Sequence, residues 1–172
     1  MKQVSLIFIL IIMIGCTHQT MSEKEKGNTD TEKAINLNAT SSPVSELKRL
    51  VLKGNINAYE ELCVAYMDIE ETGLLPYALL MANKYDYSVA YYHVFDCLTL
   101  LYYDDCNDID CCLDSLDSQT RTMALEYLKK AADKGEGNAL RDLGWLYLEG
   151  KHVKKDTVLG NQLLEKSRKP PC

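Results

Sequence analysis

From Pro43 onward, apolar residues recur three or four positions apart, the spacing that places side chains on one face of a helix. Leu47, Leu50 and Val51 form a first short stripe that ends at Gly54. Ala58, Leu62 and Tyr66 form a second. Further helices are predicted from Leu75 to Lys84 and from Ser88 to Tyr103. Thr120 to Lys134 carries Met123, Leu125, Leu128, Ala131 and Ala132 at helical spacing, with Gly135 as terminator. Ala139, Leu143, Leu146 and Tyr147 share the next face, with Gly137 and Asn138 as candidate caps and Gly150 as the stop. Asp156 is placed to cap a last helix through Val158, Leu159, Leu163 and Leu164. Lys166, Arg168 and Lys169 suit the negative end of that helix, and Pro170 and Pro171 end it. The pattern predicts an all-α domain of about seven helices over residues 43–169, with an inserted loop between Asp104 and Ser118.

The stripes also repeat. Leu47 to Gly54 aligns with Leu128 to Gly135 at an offset of 81 residues, without gaps. The same offset sets Asn57 on Asn138, Ala58 on Ala139, Leu62 on Leu143, Cys63 on Gly144 and Tyr66 on Tyr147. A glycine inside a helix costs roughly 1 kcal/mol against alanine, so Gly144 makes sense where another helix crosses closely. The run Leu128-Lys-Lys-Ala-Ala-Asp-Lys-Gly135, then Ala139, Leu143-Gly144, Tyr147, Gly150, Val153 and Asp156, resembles a Sel1-like repeat, a helix-turn-helix relative of the tetratricopeptide repeat. It departs from that pattern at His152, where the family prefers Gly, and at Gly160, where it prefers Ala. The resemblance implies a short α-solenoid of antiparallel helix pairs whose job is to bind rather than to react. A degenerate repeat is expected between the two aligned ones. Leu98, Thr99 and Tyr102, or else Ala90, Val94 and Leu98, replay the helix pattern there, and both registers stay open.

In such stacks the first helix of each pair lines a concave groove. The resemblance therefore implies groove positions at Asn138, Arg141, Trp145 and Leu148, at Asn57, Glu60, Val64 and Met67, and at Asp96 in the middle helix. Trp145, Arg141, Asn138 and Asp96 become candidate contacts for a protein or peptide partner, and for Trp145 inter-helix core is the competing reading.

Charge is distributed unevenly. From Tyr85 to Thr120 there is no Lys or Arg, while eight aspartates fall in that stretch; from Arg121 onward eleven basic residues face seven acidic ones. The acidic segment also holds Tyr85, Tyr87, Tyr91, Tyr92, Tyr102 and Tyr103. A patch for a basic partner, with Tyr103 among its contacts, is one reading; tyrosines packed between helices beside a solvated loop is the other. The net charge of −6 and a pI near 5.1 argue against a general nucleic-acid binder.

At the other end, Lys2 precedes an apolar run from Val4 to Ile14 that is too short to span a bilayer, as in an export signal. Met13-Ile14-Gly15-Cys16 resembles the lipobox of bacterial lipoproteins, with Met in place of the favoured Leu. That implies removal of residues 1–15 and a lipidated Cys16 holding the protein on a bacterial membrane. The outer membrane is the expected one, on its periplasmic or surface face. An ordinary cleaved signal with an incidental cysteine is the alternative. Residues 16–42 are polar and aperiodic, and they read as a disordered tether reaching about 25–30 Å.

Seven cysteines in 172 residues suit an oxidising compartment. Four residues separate Cys106 from Cys111, and Cys111 and Cys112 are adjacent. That spacing does not fit paired zinc ligands, and the loop lacks the glycine of a calcium loop. No metal and no cofactor are expected. Exported proteins of the Sel1-like kind staple helices with disulfides, which implies a bridge from Cys97 to one of Cys106, Cys111 or Cys112. Cys63 reads equally well as a buried apolar residue.

Catalytic patterns are sparse. Ser45-Glu-Leu-Lys48 matches the four-residue S-x-x-K form of penicillin-binding enzymes, but the companion S-D-N and K-T-G elements are missing. The expected function is therefore that of a membrane-anchored binding adaptor and not an enzyme. An immunity or inhibitor protein against a delivered toxin is the alternative, and a penicillin-binding or β-lactamase-like enzyme a remote one.

Overall fold

Two turns set the plan of the chain. After the first helix and again after the sixth, a glycine takes the left-handed backbone conformation, Gly54 and Gly135 both at φ 83°. A side-chain carbonyl or carboxylate then caps the following helix: Asn55 Oδ1 accepts from Ala58 N–H at 2.9 Å, and Glu136 accepts from Ala139 N–H. Each cap satisfies an amide that a helix start otherwise leaves orphaned. The expected caps Gly137 and Asn138 are thereby corrected. Helix starts favour the residue whose side chain reaches forward to the third amide, and here that residue is Glu136.

The computed structural model describes residues 42–67, 72–99, 106 and 108–169. They form α1 (Val44–Val51), α2 (Ile56–Met67), a 3-10 turn (Thr72–Leu74), α3 (Leu75–Tyr85), α4 (Ser88–Thr99), α5 (Ile109–Ser115), α6 (Ser118–Asp133), α7 (Gly137–Glu149) and α8 (Thr157–Ser167). Among the described residues there is no strand, and the fold is all-α. Eight helices stand where about seven are expected. The extra one is α5, which occupies the stretch read as a loop. The export signal, Cys16, residues 16–41 of the tether, Tyr102, Tyr103 and Cys172 lie outside the described residues.

Helices pack on their neighbours in chain order: α1 on α2, α3 on α4, α6 on α7, and α7 on α8; α4 packs on α6 across the insertion. Most of the predicted stripes turn inward, but Val158, read on the apolar face of the last helix, is 68% exposed. Leu47, Val51, Leu62, Val94, Leu128 and Leu146 are fully buried in one core, joined by Met81 and Leu113. Burying such side chains contributes roughly 1.5–3 kcal/mol each relative to exposure. Asp156 caps α8 by accepting from Leu159 N–H at 2.9 Å, and Gly150 at φ 77° closes α7.

Small residues permit the tightest crossing. A Cβ on Gly144 would come within 3.0 Å of the Gly160 carbonyl, and one on Gly160 within 2.8 Å of the Gly144 carbonyl. The α7 and α8 backbones therefore touch, which is the close approach that an interior Gly144 implied. Leu148, expected on the groove, instead packs over Gly160 on α8.

Candidate functional site

α4, α5 and α7 enclose two adjoining cavities. Periodicity explains which side chains α4 and α7 send there. Tyr92, Asp96 and Thr99 follow one another by four and three residues, and Trp145 follows Arg141 by four and Asp142 by three. The short α5 forms because Asp108 accepts from Cys111 N–H at 2.8 Å and because Cys112 and Leu113 are buried. Its first turn supplies Ile109 and Cys112 to the wall.

The inner cavity, about 280 Å³, is lined by Tyr92, Phe95, Asp96, Thr99, Ile109, Cys112, Arg141 and Asp142. A second, about 410 Å³, adjoins it through Ile109 and Asp142 and adds Asp108, Asp110, Trp145 and Glu149. Together they present five carboxylates and one guanidinium. Arg141 Nε donates to Asp142 at 2.9 Å, and Tyr92 O–H donates to the same carboxylate at 2.9 Å. Burial, with Asp142 nearby, pushes the Asp96 carboxyl up to about 6. Burial, with the Asp142 charge beside it, also drives the Tyr92 phenol well above its usual range. A group of this kind suits a cation, because a positive charge beside Asp96 and Asp142 offsets both the burial and the mutual repulsion.

The candidate contacts distribute as follows. Trp145, Arg141 and Asp96 come together around these two cavities. Trp145 is 50% exposed, which makes it a surface residue of the groove and not inter-helix core. Asn138 is exposed and donates to Glu136 at 3.3 Å, apart from both cavities. In the first half, Asn57 is exposed and Glu60 accepts from Tyr87 O–H at 2.6 Å. Tyr103 lies outside the described residues. The described tyrosines of the acidic segment commit their hydroxyls internally: Tyr85 to the Leu52 carbonyl, Tyr87 to Glu60, Tyr91 to Asp86 and Tyr92 to Asp142. Asp86 also takes Lys134 at 2.7 Å, tying one turn to another.

The cysteines need a correction. Cys97 is a free buried thiol, and Cys106, Cys111 and Cys112 are free thiols as well, so the expected bridge from Cys97 to one of them is not formed. Burial, with Asp96 beside it, pushes this thiol up to about 11. The close sulfur pair is instead Cys106 and Cys111, at 2.6 Å. Cys112 is fully buried.

Two other clusters contain reactive groups. Tyr59 O–H lies 2.8 Å from His93 Nδ1, and Cys63 Sγ lies 3.5 Å from the same nitrogen. Burial pushes the Cys63 thiol up to about 12 and holds His93 below its ordinary value, so both are neutral and the pair carries no thiolate. Near the α7–α8 turn, His152 Nε2 lies 3.2 Å from the Asp110 carbonyl, with Asp114 bound to Lys151 beside it. Ser45 is exposed on α1, and Lys48 rests over the Tyr66 and Tyr77 rings at 5.5 and 5.9 Å.

Sequence reasoning missed Tyr92, Phe95, Ile109, Cys112 and Asp142 as wall residues. Asp142 had a usable signal, since it follows Arg141 on the same turn. Ile109 and Cys112 had only the Asp108 cap. Compared with known proteins, the chain matches no family model, no curated protein and no solved structure.

Proposed function

We propose that this chain is a binding adaptor whose groove between α4, α5 and α7 grips a basic segment of a protein or peptide. The observation that carries this reading is the groove itself: five carboxylates to one guanidinium, with an exposed Trp145 on its rim. The single guanidinium is already bound to Asp142. Charge complementarity and a stacking surface together select Lys- or Arg-bearing ligands. The Sel1-like resemblance supports the same reading. Its two aligned turns share the glycine conformation and the forward cap at an offset of 81 residues. In this proposal the groove belongs to a lipoprotein held at a bacterial envelope membrane through Cys16, on the strength of the lipobox resemblance alone.

Trp145 is the one tryptophan of the chain, so its fluorescence reports on the groove directly. Titration with a lysine- and arginine-rich peptide is expected to shift that emission, with affinity falling as salt rises. The double variant Asp96→Asn, Glu149→Gln should weaken binding about tenfold. An unshifted emission with basic peptides, or equal binding of an acidic one, overturns the reading.

A further inference from the structure

Three cysteines fall within seven residues between α4 and α6, and the fold brings two of them together. Asp108 caps α5 at the Cys111 amide and so fixes where that helix starts. Cys106 Sγ, a free thiol, then lies 2.6 Å from the free Cys111 Sγ, closer than two unbonded sulfurs normally approach. Ser115 sits under both, its hydroxyl 3.7 Å from Cys106 Sγ and bonded to the Cys111 carbonyl at 3.1 Å. Cys112 is fully buried, lines the groove, and its thiol also interacts with Cys106, so experiment must separate the two pairings.

We propose that Cys106 and Cys111 form a disulfide by exchange with a disulfide-bearing oxidant, and that this bond pins the start of α5. Cys111 is the half-buried member of the pair and Cys106 the buried one, so Cys111 meets the oxidant first. Its thiolate attacks the oxidant's disulfide, forms a mixed disulfide and releases one thiol. The Cys106 thiolate then attacks the Cys111 sulfur and releases the second. Two electrons pass to the oxidant, which leaves as two thiols carrying the two protons. The bond fastens the element that supplies Ile109 and Cys112 to the groove. It does not depend on what the groove holds.

The test uses the full chain, treated with oxidised glutathione or with dithiothreitol, then alkylated under denaturing conditions. Cleavage before aspartates separates Cys106 from the Cys111–Cys112 pair. Mass spectrometry of the oxidised protein is expected to show these two fragments linked, with one alkyl group on Cys112 and the mass two hydrogens lower. Reduction should separate them and restore alkylation at both sites. The link should survive Cys112→Ser and disappear in Cys111→Ser. Fragmentation of the unmutated linked peptide gives the same assignment where a variant does not fold. A link that survives Cys111→Ser, a link to Cys97, or full alkylation after oxidation overturns the proposal.

Discussion

The turn after α1 and the turn after α6 are built alike and covered differently. Both place glycine at φ 83°, and both return a forward cap to the next helix. Over Gly54, however, lies the Tyr85 ring, 2.5 Å from where a Cβ would stand, while nothing lies within 4 Å of that point at Gly135. Local sequence therefore dictates the backbone of each turn, and position in the chain decides what presses on it. The helices that follow differ in the same way. α7 carries Gly144 and touches the α8 backbone, whereas α2 carries the buried Cys63 at the aligned place.

The largest expected effect tests that last difference. Gly160→Val inserts side-chain atoms against the Gly144 carbonyl and should cost about 3 kcal/mol, read as a lowered urea midpoint. A cost under about 1 kcal/mol would mean that α7 and α8 separate without penalty.

The turns come next. Gly135→Ala should cost about 1 kcal/mol, the strain of a left-handed alanine. Gly54→Ala should cost about 2 kcal/mol or more, because the Tyr85 ring must also move and its bond to the Leu52 carbonyl is disturbed. Equal costs at the two sites would erase the distinction drawn above.

How much of this was legible follows from the range of each force. Gly54, Gly135, Gly150 and Asp156 act within a few residues, and the sequence alone placed them. Gly144 announced a close crossing, though its partner Gly160 is visible only once α7 and α8 are folded together. α5 escaped notice because a seven-residue helix is two turns long, too short for periodicity, and it sits among aspartates that read as solvated loop. With α5 went two of the inner cavity's wall residues, Ile109 and Cys112. Arg141, Trp145 and Asp96 were legible because helical spacing fixes direction even when the opposite wall is unknown. The Cys97 bridge does not form in this structure: Cys97 stays a buried free thiol on α4, and the sulfur that comes nearest Cys106 is that of Cys111.

The smallest effect contrasts the two ends of the inner surface. Near α2, Glu60 takes the Tyr87 hydroxyl at an exposed site; near α7, Asp96 is half-buried close to Asp142. The folded chain holds the Asp96 proton up to about 6, while the unfolded chain loses it near 3.8. Between those values the folded state binds more protons, so stability falls as pH rises through the window and stays reduced above it. Asp96→Asn should flatten that slope and raise stability at pH 7 by about 1–2 kcal/mol after allowance for partial exposure, measured by urea denaturation at pH 4 and pH 7. An unchanged slope would assign the pH response elsewhere.

Arg121, on α6, reaches back to the carbonyls of Leu113 and Leu116, both at 2.7 Å, and to that of Asp114 at 3.2 Å. One guanidinium thus closes the far end of α5, where a helix leaves carbonyls without amide partners. The insertion is anchored by a residue that comes after it in the chain, so it cannot be trimmed as an ornament. A shortened protein joining Thr99 straight to Asp117 would keep every other helix and strip this cation of three acceptors at once. Any redesign without the insert leaves Arg121 to find its partners in water instead of these carbonyls.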